Sequence, residues 1–334
     1  MIEKIPIFTD TKTNNMKRRD FIKTAAIATP MLSLFPSDLS AITRKAVPGK
    51  IEKRSLGRTG QMLSIIGFGG IVVKDTTTDE AAMYVKMAID AGVNYFDVAP
   101  SYGNAEIMLG PALEPYRKDV FLACKTTDRT KEGSRTELER SLTRMRTDHF
   151  DLYQLHAMTS LEDVKKVMGK GGAMETFLEA RKEGKVKFLG FSAHSVEASL
   201  ALMDQFDFDT ILYPVSYTTW YAGNFGAQIL ARAQEKNMGI LALKAMAKGP
   251  WPKDADRSKY PKCWYEPLSN PEDAKMGLRF TLSHPVTAAL PPGDGKLFKL
   301  ALDLKDGLSP LKSNEVAEIK AKAFTGQPLF KFGG

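Results

Sequence analysis

The chain has 334 residues, 43% hydrophobic and 26% charged, which is enough to bury the core of one large domain or two ordinary ones. Its formal charge of +8 is concentrated at the start: the first 46 residues hold eight Lys/Arg against four acids, leaving 39 basic and 35 acidic side chains, a net +4 with no sustained basic run, so nucleic-acid binding is not expected. Two cysteines, Cys124 and Cys263, exclude a disulfide framework and a cysteine metal cluster.

In chain order, residues 17–23 read Lys-Arg-Arg-Asp-Phe-Ile-Lys, followed by a weakly apolar stretch over 24–35 and the small residues Leu39-Ser40-Ala41. A charged region, an apolar region of about 12 residues and a cleavage-like site, in that order, mark an export leader rather than a fold element, and one too short to span a membrane. The Arg18-Arg19 pair with Phe21 resembles the twin-arginine export signal. It implies residues 1–46 as the leader, passage through the twin-arginine machinery, and a periplasmic or otherwise exported destination with no stable membrane anchor. That route carries proteins already folded around a cofactor, so a tightly held nucleotide is expected. Residues 50–334 form the second unit.

After a hairpin over 54–63, short apolar runs alternate with helical periodicity. Strands are expected over 63–73, 95–99, 120–125, 150–156, 186–192, 210–215, 239–245 and 287–290. Helices are expected over 78–91, 105–116, 134–145, 174–183, 196–205, 225–236, 271–283 and 296–304, with one more in the tail over 309–334. Capping chemistry agrees: Thr78 precedes Asp79 and Glu80, Ser195 precedes Glu197, and Asn270-Pro271 precedes Glu272-Asp273. Eight strand-helix units with apolar strands predict a closed (β/α)8 TIM barrel, with a doubly wound sheet as the alternative. Alternation turns Cys124 and Lys125 to opposite faces and makes the thiol a buried, inert one.

Catalytic groups of such a barrel sit at the carboxyl ends of its strands. There strand two ends Asp97-Val98-Ala99-Pro100-Ser101-Tyr102-Gly103, strand three ends with Lys125 and strand four with His156. Carbonyl reduction needs this set. An oxygen gaining charge must be stabilised and protonated, and a phenol (Tyr102) can protonate it, helped by an ammonium (Lys125) that favours the phenolate. Asp97 would hold the ammonium, and His156 would donate a hydrogen bond to the carbonyl. Each residue alone has an ordinary explanation, a rim charge or a satisfied core histidine. Their coincidence at three successive strand ends carries the argument.

At these residues the chain resembles the aldo/keto reductase family. The match runs through Gly67-Phe68-Gly69-Gly70, Asn94-Tyr95-Phe96-Asp97 to Tyr102-Gly103, Lys125, Asp151-Leu152-Tyr153-Gln154-Leu155-His156, and Gly184 to Ser192, and covers about residues 52–300. The resemblance implies the tetrad Asp97, Tyr102, Lys125 and His156, a small-molecule carbonyl substrate and a nicotinamide dinucleotide. NADP(H) is the family's lean and NAD(H) the alternative. It places Gly69, Gly70, Ser192, Tyr213, Lys244, Met246, Gly293 and Lys296 at the cofactor. The sequence departs from the family where Ala193-His194 stands for Asn, where Ala301 to Leu304 replaces Glu-x-x-Asn, and where Lys296 and Lys299 are the nearest to a 2′-phosphate pair. Members of a similar branch carry a cysteine-rich iron-sulfur tail, which this chain lacks.

Aromatics after strands six and seven (Tyr217, Trp220, Tyr221, Trp251, Tyr260, Trp264, Tyr265) could wall a sugar or aromatic pocket or plug long loops. Rival chemistries are weaker. The third glycine of a Rossmann fingerprint is missing at Val72. Four histidines without a His-x-His pair make a metal site unexpected, and a Schiff-base lysine would be Lys125 or Lys244. A nucleotide-binding barrel that senses rather than turns over is the alternative of a different class.

Overall fold

Short continuous apolar runs produce strands buried on both faces, and the computed structural model, which describes residues 50–333, shows them closing on themselves. The chain enters as an antiparallel hairpin, β1 (Lys53–Ser55) and β2 (Met62–Ser64). Parallel strands follow: β3 (Phe68–Gly69), β4 (Tyr95–Asp97), β5 (Phe121–Thr126), β6 (Phe150–Met158), β7 (Val186–Ala193), β8 (Thr210–Pro214) and β9 (Gly239–Leu243). A small antiparallel pair, β10 (Ala247–Gly249) and β11 (Glu266–Pro267), brackets the long loop after β9, and β12 (Ala288–Leu290) completes the set. Strands β3 to β9 and β12 pair in chain order. A parallel bridge between Ile66 and Ala289 joins the last to the first, so the fold is a (β/α)8 TIM barrel.

Helices lie where the periodicity places them, with differences at the ends. Thr77, not Thr78, caps Thr78–Asp90, in a reciprocal capping box with Glu80. Ser195 and Asn270 cap their helices as expected. The expected first strand over 63–73 is broken: Met62–Ser64 belongs to the entry hairpin, only Phe68–Gly69 joins the barrel, and Gly70–Val73 turns as a 3-10 helix. The β6 crossover carries two helices, Leu161–Met168 and Ala173–Lys182, where one was expected. The tail forms Ser313–Ala323. The twin-arginine leader lies outside the described residues.

The hairpin is a floor. Leu56 and Leu63 join the barrel's inner cluster with Tyr95, Phe121, Leu152, Leu212 and Leu241. Leu56 packs so close to Gly239 that a side chain there would collide with it. Further along the same axis the interior turns polar, with Asp97, Lys125 and Gln154 enclosed. Lys125 faces inward, whereas Cys124, one residue earlier, joins the outer cluster between barrel and helices. Closing one end with hydrocarbon leaves chemistry to the other. Among the described residues no helix is long and apolar enough to cross a membrane.

Candidate active site

Three neighbouring strands deliver the predicted side chains to one cleft. Lys125, at 1% exposure, ion-pairs with Asp97 Oδ1, and its Nζ lies 3.3 Å from the Tyr102 hydroxyl and 3.4 Å from the Val98 carbonyl. The ammonium also lies 5.1 Å from the centre of the Tyr102 ring, within reach of its face. The second oxygen of Asp97 accepts from Gln154 Nε2 at 2.9 Å and from the Tyr95 hydroxyl at 3.1 Å. Every oxygen of that carboxylate is therefore engaged. Gly103, with φ +62°, lets the chain turn immediately after Tyr102. The His156 ring stands edge-on to Tyr102, 5.7 Å between centroids.

Burial and charge set the protonation states. Burial disfavours a charged Lys125, but the neighbouring Asp97 carboxylate overrides it and holds the amine above its ordinary range, so it stays an ammonium. For Tyr102 burial also ranks first and raises the pKa, and the charge of Lys125 only partly offsets it. The expectation that Lys125 would bring the phenol below its usual value is thus corrected: the ammonium pulls in that direction, but burial wins. Tyr102 is held as the protonated phenol at neutral pH, the form a proton donor needs. His156 is pushed down to about 3, chiefly by burial and then by Lys125, His194 and Arg129, and is neutral.

A break in the β6–β7 register re-aims the histidine. The pairing shifts between Leu155 and Met158, and Ala157 adopts φ +52°. Its N–H donates to Ser192 Oγ at 2.8 Å and its carbonyl accepts from Arg129 Nη2 at 3.2 Å, while Arg129 is anchored on Asp163. The strained residue is clamped from both sides.

The cleft containing the tetrad runs on past Gly69, Ile71, Ser192 and His194 to Lys244, Lys262, Trp264, Tyr265 and Gly293, and is open to solvent. The family model for the aldo/keto reductase family matches residues 65–287. The chain belongs to the aldo/keto reductase family. It is 25% identical over 315 residues to the uncharacterized oxidoreductase YqkF of Bacillus subtilis (strain 168), covering 84% of this chain and 99% of that one. It is 28% identical over 217 residues to L-galactose dehydrogenase of Arabidopsis thaliana, covering 60% and 67%. Among solved structures it resembles the holo form of the aldo-keto reductase AKR11C1 from Bacillus halodurans, with a TM-score of 0.65 at 21% identity over 81% of this chain and 96% of that one. Family membership makes it an oxidoreductase of carbonyl compounds.

The predicted cofactor residues of this aldo/keto reductase divide. Gly69, Ser192, Lys244 and Gly293 line the cleft. Gly69 has only the Pro291 carbonyl, at 4.0 Å, near where a Cβ would sit, which leaves its backbone open to a ligand. Gly70 is instead packed against Val98, and Met246 is fully buried. Lys296 is exposed in the first turn of its helix, outside the cleft. Tyr213 is the clearest correction. It is fully enclosed in the outer cluster, while its neighbour Leu212 takes the inward position, so alternation along β8 turns the phenol towards the helices.

Three contributors escaped sequence reasoning. Tyr95 and Gln154 brace Asp97, and each stands two residues before a tetrad member on the same strand face, a signal that period two offers. Lys262 lies in the long loop after β9 and reaches across the mouth to donate to the Val72 carbonyl at 3.0 Å. Of the loop aromatics, Trp264 and Tyr265 line the cleft, whereas Tyr217, Trp220 and Tyr221 pack on Phe280. No cluster of metal-ligating side chains occurs among the described residues.

Proposed function

We propose that this chain reduces an aldehyde or ketone to an alcohol with a nicotinamide dinucleotide, using Tyr102 as the proton donor. The observation that carries the proposal is the Lys125 ammonium lying between the Asp97 carboxylate and the Tyr102 hydroxyl in an open cleft. The donor set suits a dinucleotide: an open backbone at Gly69, the hydroxyl of Ser192, and the Lys244 ammonium, which has no carboxylate partner among the described residues. When bound, the cofactor supplies the hydride. Tyr102 gives its proton to the substrate oxygen, and Lys125, 3.3 Å away, stabilises the phenolate left behind. Asp97 keeps the ammonium charged and in place. His156, neutral, donates a hydrogen bond to the same oxygen.

The lean towards NADP(H) rests on the family resemblance. Lys299 is engaged by Asp303 at 2.6 Å, which leaves Lys296 as the remaining member of the basic pair. Comparing binding of NADPH and NADH tests that preference. The relative named for L-galactose, together with Trp264 exposed at the cleft rim, supports a sugar carbonyl as the substrate class. The fully braced tetrad favours turnover over a sensing role. Tyr102→Phe is expected to abolish carbonyl reduction while dinucleotide binding, followed by calorimetry, persists. Unchanged turnover would remove Tyr102 from the chemistry.

We further propose that residues 1–46 direct twin-arginine export and that the enzyme works in the periplasm. Replacing Arg18 and Arg19 with lysine should strand it in the cytoplasm, as judged by cell fractionation. Continued export would refute the leader assignment.

A further inference from the structure

His156 can orient a carbonyl only if its proton sits on the nitrogen that faces the substrate. A neutral imidazole has one N–H and one lone pair, and the partner of one ring nitrogen fixes the role of the other. Among the described residues, the polar group within hydrogen-bond distance of a His156 ring nitrogen is the hydroxyl of Ser101, 3.3 Å from Nδ1. Nε2 has no partner among the described residues, and the residue lines the cleft.

Ser101 immediately precedes the proton donor. The loop that delivers Tyr102 from β4 therefore also touches the histidine delivered by β6, and the hydroxyl ties two catalytic strand ends together. The Tyr102 N–H bonds back to the Ala99 carbonyl at 3.0 Å, so this loop is a tight turn rather than a free segment. The clamp on Ala157 fixes where the imidazole points, but its bonds are to backbone atoms and Ser192, and they leave the ring nitrogens untouched. Direction and tautomer are thus set by separate groups.

We propose that Ser101 is a positioning residue of the reaction, donating its hydroxyl proton to Nδ1 of His156 and so holding the proton of the imidazole on Nε2, where it meets the substrate oxygen. The catalytic consequence rests on the role proposed above for His156, but the tautomer does not. Burial keeps the ring neutral, so the choice between its two nitrogens persists across the working pH range.

The test begins on the cofactor-free protein labelled with 15N-histidine, with the His156 signals assigned by their loss in His156→Gln. The expected spectrum shows a pyridine-like Nδ1 and a pyrrole-like Nε2, and Ser101→Ala should shift both towards an average of the two forms. With carbonyl substrate and dinucleotide, Ser101→Ala should lower kcat by about tenfold, as a histidine released from its tautomer is less effective, while dinucleotide affinity is unchanged. Ser101→Thr, which keeps the hydroxyl, should restore the spectrum and most of kcat. A protonated Nδ1 in the unmodified protein would overturn the proposal, as would Ser101→Ala with unaltered 15N shifts. If the spectrum behaves as expected but kcat does not fall, the tautomer lock stands and the role given to His156 fails.

Discussion

Two lysines face the same cleft from opposite rims, and their surroundings differ. Lys125, at the β4–β6 rim, has a carboxylate, a phenol and a backbone carbonyl around its ammonium, and its pKa is pushed up. Lys244, just past β9, sits between the rings of Trp264 and Tyr265, 4.9 and 4.4 Å from their centres, with no ion-pair partner among the described residues, and burial pushes it down to about 8. Charge in a low-dielectric site costs free energy unless it is paired. The catalytic rim is self-sufficient within the chain, whereas the opposite rim is left with a positive charge that an anionic ligand would satisfy. In the reading proposed above, one half of the cleft acts on a ligand and the other holds it.

Removing one charge from each lysine's site is the strongest way to break the comparison. Asp97→Ala leaves a buried ammonium without its counter-charge, and it should destabilise the fold by about 3–5 kcal/mol in urea unfolding and eliminate reduction. Adding Lys125→Met should recover much of the stability but none of the activity. A single variant as stable as the parent would mean that Asp97 and Lys125 do not form an enclosed pair.

At the other rim the same kind of change should behave in the opposite sense. Lys244→Met is expected to leave the ligand-free fold as stable or slightly more so, while weakening dinucleotide binding about tenfold, the scale of one charge-assisted contact. The pH dependence has a definite sign. Lys244 has a lower pKa folded, about 8, than its ordinary 10.5, so between those values the unfolded chain binds more protons. Stability of the ligand-free protein should therefore rise with pH across that window, and below about 8 the penalty is present in full. Lys244→Met should remove this contribution to the rise. A stability curve with the same slope in both proteins would show that the ammonium is solvated after all.

The same contrast governs what could be read from the sequence. Asp97, Lys125 and His156 sit at strand ends, and strands announce their ends through apolar runs, so the meeting of these side chains in one cleft is legible in the sequence. Tyr213 was misplaced because strands buried on both faces carry no polar alternation to say which face is inside; Leu212 and Tyr213 are equally at home in either layer. Gly70, Met246 and Lys296 lie off the strands, in a 3-10 turn, a loop and the first turn of a helix, where residues a single position apart can point into or away from the cleft. The strap carrying Lys262 was invisible because its anchor, the Val72 carbonyl, is a backbone atom 190 residues away in sequence. The fold's count of strands survived because it depends on composition over whole segments, while the cofactor rim depends on single loop conformations.

Backbone strain sharpens the comparison at its finest scale. Both rims hold a non-glycine residue at positive φ, Ala157 at +52° and Lys244 at +68°. Ala157 is clamped by Ser192 and Arg129, whereas the Lys244 carbonyl simply closes a turn with the Ala247 N–H at 2.9 Å. Ala157→Gly should relieve the left-handed strain and stabilise the protein by about 1 kcal/mol. Because the Ser192 and Arg129 contacts are to backbone atoms that glycine retains, the bulge should keep its shape and kcat should stay within about twofold, since only a substantial shift of the imidazole would cost more. Urea unfolding and steady-state kinetics on the one variant read both. A gain in stability accompanied by a large fall in kcat would mean that the methyl group of Ala157, and not the clamp, aims His156 into the cleft.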